Sequence, residues 1–183
     1  MRHFPDTFTR AAPIDALVRQ LIADHDSFRH LRRASIGCLF SQRVILDRGA
    51  PARAVIVVPG QISSKQIERL FHEWAMAQLF EHEELPDFVV FVDLALWQSD
   101  SELEREQLLF HELSHVQQKQ DEFGAPRFEK SGRPALRLVP HDAEVFYSEL
   151  KRYGRIVPAF TDTAIAIAEG ARAHGPQLVK RRA

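Results

Sequence analysis

The sequence has very little cysteine. Cys38 is the only thiol among 183 residues, so the chain cannot form an internal disulfide. A zinc site built on several cysteine thiolates is excluded for the same reason. Any metal site in this chain must therefore rely mainly on nitrogen and oxygen ligands.

Long apolar runs are also missing from the sequence. No run reaches the roughly 18 residues that a membrane-spanning helix requires. Residues 1–10 mix polar and aromatic side chains and lack the apolar centre of a signal peptide. We therefore expect a soluble, cytoplasmic protein with no membrane partner.

Neither sign of charge is in excess. Lysine and arginine together number 24, and aspartate and glutamate number 25, which leaves a formal net charge of -1. This balance disfavours a strongly basic nucleic-acid-binding protein. The short basic runs at 29–33 and 180–182 have no accompanying aromatic stacking pattern and are typical of solvated surface. A nucleic-acid partner is therefore disfavoured without being excluded.

The hydrophobic pattern predicts a single domain of mixed structure. Apolar residues at helical spacing predict helices over about 13–28, 65–83, 100–120, 141–153 and 159–173. Short runs rich in Ile, Val and Phe predict strands over about 34–40, 54–58 and 87–97. A capping-box pattern over Ser99–Glu102 marks the start of the third helix, and the glycines and prolines within 121–140 predict a loop or irregular hairpin. The order of these elements predicts an α+β fold.

One segment carries a chemical motif. His111-Glu112-Leu113-Ser114-His115 matches the zinc-binding pattern H-E-x-x-H within the predicted helix 100–120. Residues four apart lie one turn apart on the same helical face, so both imidazoles can point at one zinc ion. Glu112 lies beside that face and can take a proton from water that the metal activates. With 9 His and 14 Glu in the chain, chance gives roughly 0.03 such matches.

Two histidines leave a metal site incomplete. A catalytic zinc needs a third protein ligand and an open position for water. The candidates are His141 and Glu144, which lie three residues apart on the predicted helix 141–153 and so share a face. Zinc accepts either donor, and the spacing alone leaves the choice open. The residue that does not bind the metal can orient a ligand instead.

Three segments together resemble the putative phage metallopeptidase family, which is found in phages and bacterial prophages. They are the strand ending in Trp97, the motif, and the later segment that begins His141-Asp142-Ala143-Glu144 and ends Arg152-Tyr153-Gly154. The layout is also similar to that of SprT-like zinc proteases. The resemblance implies a zincin-like domain in which a small, mainly antiparallel sheet packs on the motif helix and on a second, ligand-bearing helix.

The resemblance also implies boundaries for this domain. It covers residues 34–154, which leaves an N-terminal helical extension over 1–33 and a C-terminal helix with a basic tail over 155–183. In metallopeptidases of this layout a strand beside the motif helix forms the upper edge of the cleft, where an extended peptide can add as another strand. The strand 87–97 is therefore expected to be either this edge or an ordinary core strand.

Site roles follow from matching positions in the family. The resemblance implies that His111 and His115 bind the metal, that Glu112 is the general base, and that His141 is the third ligand. The gluzincin pattern would choose Glu144 in place of His141.

The motif and the resemblance together predict a zinc-dependent metallopeptidase that acts on a protein or peptide. One alternative is a zinc-stabilised binding or regulatory module that captures a partner without cutting it. Glu112 argues against that alternative, because a structural zinc site needs no base and prefers four protein ligands. The other alternative is a protease that acts on DNA-bound proteins, which the SprT-like similarity implies.

Overall fold

The structure is a computed structural model that describes residues 7–47, 49–59, 75–76, 78–80, 85–140 and 152–153. The chain divides into two compact units, residues 1–140 and 141–183. In the second unit the described residues Arg152 and Tyr153 are helical, and the guanidinium of Arg152 lies 5.2 Å from the ring centroid of Tyr153. The predicted helix 159–173, and all but these two residues of the predicted helix 141–153, lie outside the described residues. The predicted boundaries at 34 and 154 stay a prediction.

The first unit has a mixed architecture of short strands and few helices. Its strands in chain order are β1 (Phe8–Arg10), β2 (Ile36–Ser41), β3 (Ile45–Asp47), β4 (Ala50–Ala52), β5 (Ala54–Val57), β6 (Phe88–Asp93), β7 (Val116–Gln118) and β8 (Leu136–Leu138). Its helices are α1 (Ala12–Asp24), a 3-10 helix (Asp26–Leu31), α2 (Leu94–Ser99) and α3 (Glu102–Ser114). Of the predicted helix 65–83, the structure describes residues 75–76 and 78–80, and these are helical.

A four-stranded sheet with the order β1-β2-β6-β5 forms the centre of this unit. β2 and β6 run parallel, and both outer pairs are antiparallel, so the sheet is mainly antiparallel as predicted. The strands β3 and β4 form one separate hairpin, and β7 and β8 form another. β1 was not predicted, because three residues of mixed polarity give no strand period to detect.

β6 is the central strand of the sheet. All six of its residues are buried, and it pairs with β2 on one side and with β5 on the other. Of the two alternatives for the strand 87–97, the ordinary core strand is therefore confirmed and the sheet edge is wrong. The continuous apolar run is the pattern of a strand that is covered on both faces, and this agrees with the burial of β6. The strand ends at Asp93, whose carboxylate accepts from the backbone N–H groups of Ala95 and Leu96 and so caps α2.

Helical segments cover both faces of the sheet. On one face, Leu39, Val89 and Phe91 form a buried cluster with Met76 and Phe80 of the helical residues 75–76 and 78–80. On the other face, α1 packs against β2, and α3 packs against β5 and α1. The side chain of Cys38 points toward α1 and is fully buried, as predicted for a small apolar side chain, and burial together with the nearby Asp15 raises the pKa of its thiol far above its usual range.

Candidate metal centre

The motif helix α3 begins at a capping box. The Ser101 hydroxyl accepts from the backbone N–H of Glu104, and the Glu104 carboxylate accepts from the backbone N–H of Ser101 at 2.8 Å. The hydrogen bonds from Ser101 lower the pKa of the Glu104 carboxyl. The predicted helix start near residue 100 is confirmed, but the box lies two residues later than the predicted Ser99–Glu102. Ser99 belongs to α2 instead, and its hydroxyl donates to the Leu96 carbonyl oxygen.

The other end of α3 places the second histidine of the motif at the helix terminus. The helix ends at Ser114, and His115 is its C-terminal cap with a helical backbone conformation. The expectation that the helix continues to about Gln120 is wrong, because the chain turns directly into β7, where Val116 pairs with Leu138. The backbone N–H of His115 still donates to Glu112 O at 3.2 Å, so the helical offset between the two histidines is kept.

The two imidazoles of the motif lie close together. The ring centroids of His111 and His115 are 5.1 Å apart, and the rings are inclined at 82°. Both residues are partly exposed, whereas Glu112 between them is buried, with 5% of its surface exposed. The buried side chains of Leu109, Phe110 and Leu113 anchor this part of α3. The described residues thus bring both predicted histidine ligands together beside the predicted base.

The ring of His115 is oriented by a backbone acceptor. Its Nδ1 lies 2.7 Å from the carbonyl oxygen of Val139, and since a carbonyl only accepts, the Nδ1 carries the proton. This tautomer has its lone pair on Nε2, which is the arrangement found in metal-binding histidines whose other nitrogen donates to a carbonyl. In return, the backbone N–H of Val139 donates to His115 O at 2.8 Å.

A histidine outside the motif contacts the chain just after His115. The Nε2 of His30, in the 3-10 helix, lies 2.7 Å from the carbonyl oxygen of Val116. No pattern in the sequence indicates a role for His30 or Val139. Their partners lie 86 and 24 residues away, respectively, and backbone acceptors leave no pattern in a sequence.

The two candidates for the third ligand, His141 and Glu144, lie outside the described residues. Within the described part of the chain, no group of three or more His, Cys, Asp or Glu side chains is close enough to hold a metal ion. The imidazoles of His111 and His115 are suitable for binding a metal, because neutral imidazole is a common zinc ligand. In the same residues, no helix combines the length and apolar character needed to span a bilayer.

Comparison with known proteins gives one match. A family model described as putative phage metallopeptidase matches residues 6–168 of the 183-residue chain. The matched range extends beyond residues 34–154, which carry the resemblance, and includes β1 and α1. No curated protein and no solved structure matches the chain.

Proposed function

The chain belongs to the putative phage metallopeptidase family, and we propose that it is a zinc-dependent enzyme in which His111 and His115 bind the metal and Glu112 is the general base. A metallopeptidase acts on peptide bonds, so the substrate class is a protein or peptide. The family accounts for a metal cofactor and for peptide hydrolysis. The choice of zinc, the residue roles and a zincin-like arrangement are our own proposals, and the geometry of the motif supports them.

The separation of the imidazoles is the observation that carries the proposal. A zinc ion lies about 2.0–2.1 Å from each ligating nitrogen and hence about 3.2 Å from each ring centroid, so two rings at a tetrahedral angle have centroids about 5.2 Å apart. The centroids of His111 and His115 are 5.1 Å apart. The two rings therefore already have the spacing that a shared zinc ion requires.

We propose His141 as the third ligand, with Glu144 as the alternative. Val139 is hydrogen-bonded to His115 through both its N–H and its carbonyl group. His141 follows Val139 by two residues in the sequence, whereas Glu144 follows it by five. The shorter connection is the reason for choosing His141.

In the proposed reaction, the metal and the protein side chains have separate chemical roles. When bound, zinc would supply an activated water by lowering the pKa of that water to about 7, and it would polarise the peptide carbonyl. Glu112 takes the proton of the attacking water and then passes it to the leaving amine. The burial of Glu112 reduces competition from bulk water for this proton. The hydrogen bond from His115 to Val139 O keeps the imidazole in the tautomer whose Nε2 binds the metal.

We propose that an extended substrate pairs with β5. This strand pairs with β6 along one side, and α3 packs against it. The N–H of Asp93 donates to Arg53 O, so in this antiparallel register the main-chain groups of Val55 and Val57 face β6. The main-chain groups of Ala54 and Ile56 then face away from β6, where an added strand could bond to them. β5 thus has the edge role that was one of two alternatives for residues 87–97.

Replacing Glu112 with Gln tests the proposal most directly. We expect Glu112→Gln to retain zinc, because the metal ligands are untouched, and to reduce peptide hydrolysis by about 10²–10⁴-fold, the usual contribution of a general base. Metal content by mass spectrometry and cleavage of a mixed peptide library measure the two effects. Glu102→Gln removes the same charge from an exposed position at the start of α3 and should leave both unchanged.

Two results would contradict the proposal. Hydrolysis by Glu112→Gln at the wild-type rate would remove the general base from the mechanism. Zinc binding by the wild-type chain without cleavage of any library peptide would favour the non-catalytic binding module instead. In that case, removal of zinc by a chelator should lower the thermal stability of the chain.

A further inference from the structure

A cavity lies between the sheet and the hairpin formed by β7 and β8. Its volume is about 400 Å³, and its walls include Val58, Phe88 and Leu138. Val58 directly follows the last residue of β5, and Leu138 pairs with Val116, the residue after His115. The cavity thus begins at the end of β5, where the proposed substrate strand would leave it. It is also close to the motif, because its wall residue Leu138 pairs with the residue that follows His115.

The walls of this cavity are tied together by arginine side chains. Arg133, in the segment between β7 and β8, forms an ion pair with Asp87, the residue before β6. The same Asp87 carboxylate accepts from the backbone N–H of Ser35 at 2.7 Å. Nearby, the guanidinium of Arg33 donates to the carbonyl oxygen of Gly132 at 3.1 Å. These contacts connect the hairpin to the segments that lead into β2 and β6.

The charge on the walls is unbalanced. Asp87 neutralises Arg133. Lys119 and Arg137 are the other basic side chains of the wall, and neither forms an ion pair with any residue that the structure describes. Glu129 is the other carboxylate among the described wall residues, and it accepts a hydrogen bond from the Ser131 hydroxyl at 3.4 Å. Among the wall residues that the structure describes, two unpaired cations therefore accompany one carboxylate, which is an excess of positive charge.

We infer that this cavity is a substrate subsite that receives an acidic side chain, aspartate or glutamate, of the bound peptide. The inference rests on the proposed function, because it places the peptide along β5 beside the motif. A carboxylate in the cavity gains an ion pair with Lys119 or Arg137, while its methylene groups contact Val58 and Leu138. A lysine side chain at the same place meets like charge and is rejected.

Peptide binding to an inactive chain tests this subsite. The probes are three fluorescein-labelled peptide pools with Glu, Gln or Lys fixed at the centre and mixed uncharged residues elsewhere. Binding to zinc-loaded Glu112→Gln protein is measured by fluorescence anisotropy. We expect the Glu pool to bind about tenfold more tightly than the Lys pool, because exposed ion pairs contribute modestly, and this preference should weaken as ionic strength rises.

Charge reversal on the walls supplies the matched comparison. In the Glu112→Gln background, Lys119→Glu/Arg137→Glu should remove or reverse the preference. The pair Arg127→Glu/Lys130→Glu makes the same charge change on exposed residues of the same hairpin outside the cavity, and it should keep the preference. Equal affinity for the Glu and Lys pools, or a preference that survives Lys119→Glu/Arg137→Glu, would overturn the inference.

Cleavage of the same pools by the wild-type chain separates this inference from the proposed function. If the Glu pool binds preferentially but no pool is cleaved, the proposed function fails and the subsite stands. If the pools are cleaved equally well and bind equally well, the proposed function stands and the subsite fails.

Discussion

The imidazole Nδ1 of His115 donates to the carbonyl oxygen of Val139 at 2.7 Å, and the backbone N–H of Val139 donates to the carbonyl oxygen of His115 at 2.8 Å. This reciprocal pair joins the end of the motif helix to the chain segment that leads toward His141. It fixes both the backbone and the ring of one proposed ligand. A residue without any ligand chemistry thus orients one histidine of the proposed metal centre.

Val139→Pro should weaken metal binding. Proline lacks the N–H that donates to His115 O, while its carbonyl group remains. We expect the zinc affinity to fall by about 10-fold or more, the usual effect of disturbing a residue that orients a ligand. Competition with a chromophoric chelator measures this affinity, and circular dichroism checks that the chain is folded.

Val139→Ala is the control for that variant, because it keeps both backbone groups and changes only the side chain. It should bind zinc with wild-type affinity. If Val139→Ala and Val139→Pro weaken zinc binding equally, the side chain of Val139 is responsible and the backbone pair is not.

The third ligand can be identified by comparing two single variants. His141→Ala should lose most of its bound zinc, since two imidazoles alone bind the ion weakly. Glu144→Ala should keep one zinc per chain. Metal content after dialysis measures both outcomes. Loss of zinc from Glu144→Ala alone would assign the ligand to Glu144, and full zinc in both variants would contradict both assignments.

Features encoded locally could be predicted from the sequence. The apolar run over 87–97 predicted a strand, which the structure confirms for Phe88–Asp93 as β6. The predicted end at Trp97 is wrong, because Leu94–Ser99 is helical. The acidic first turn predicted the start of α3, because carboxylates are favoured near a helix N-terminus. The helical offset of four residues predicted that the rings of His111 and His115 would meet, and their centroids are 5.1 Å apart.

Features that depend on distant partners could not be predicted. α3 ends at Ser114 because Val116–Gln118 pair with β8, about 20 residues later in the chain. The two glutamines have an adequate helical propensity, so the local sequence does not predict this end. β6 lies inside the sheet because β5 takes the outer position, and no local pattern ranks two apolar strands in that way. The contact of His30 with Val116 also could not be predicted, because the two residues are 86 positions apart in the chain.

Gly37→Ala should destabilise the fold. A Cβ atom at this position in β2 would lie 2.2 Å from Cε1 of Phe80, a ring that is buried in the core cluster. Overpacking of this kind costs about 1–3 kcal/mol in the free energy of unfolding. Urea denaturation of Gly37→Ala measures the loss. In a Phe80→Leu background Gly37→Ala should reduce the free energy of unfolding by less, because the clashing ring atoms are absent. An equal reduction in both backgrounds would show that Phe80 is not the cause.

Ser101→Ala should weaken the start of the motif helix in a pH-dependent way. Loss of the cap costs about 0.5–2 kcal/mol near neutral pH. Because Ser101 lowers the pKa of Glu104 in the folded chain, this carboxylate stabilises the fold above its unfolded pKa. That contribution is lost as the pH falls below about 4.3, the usual pKa of glutamate, and through the lower pKa that Glu104 has in the folded chain. Thermal unfolding across pH should therefore show the difference between wild type and Ser101→Ala narrowing at acid pH, and a constant difference would contradict the role of the Glu104 charge.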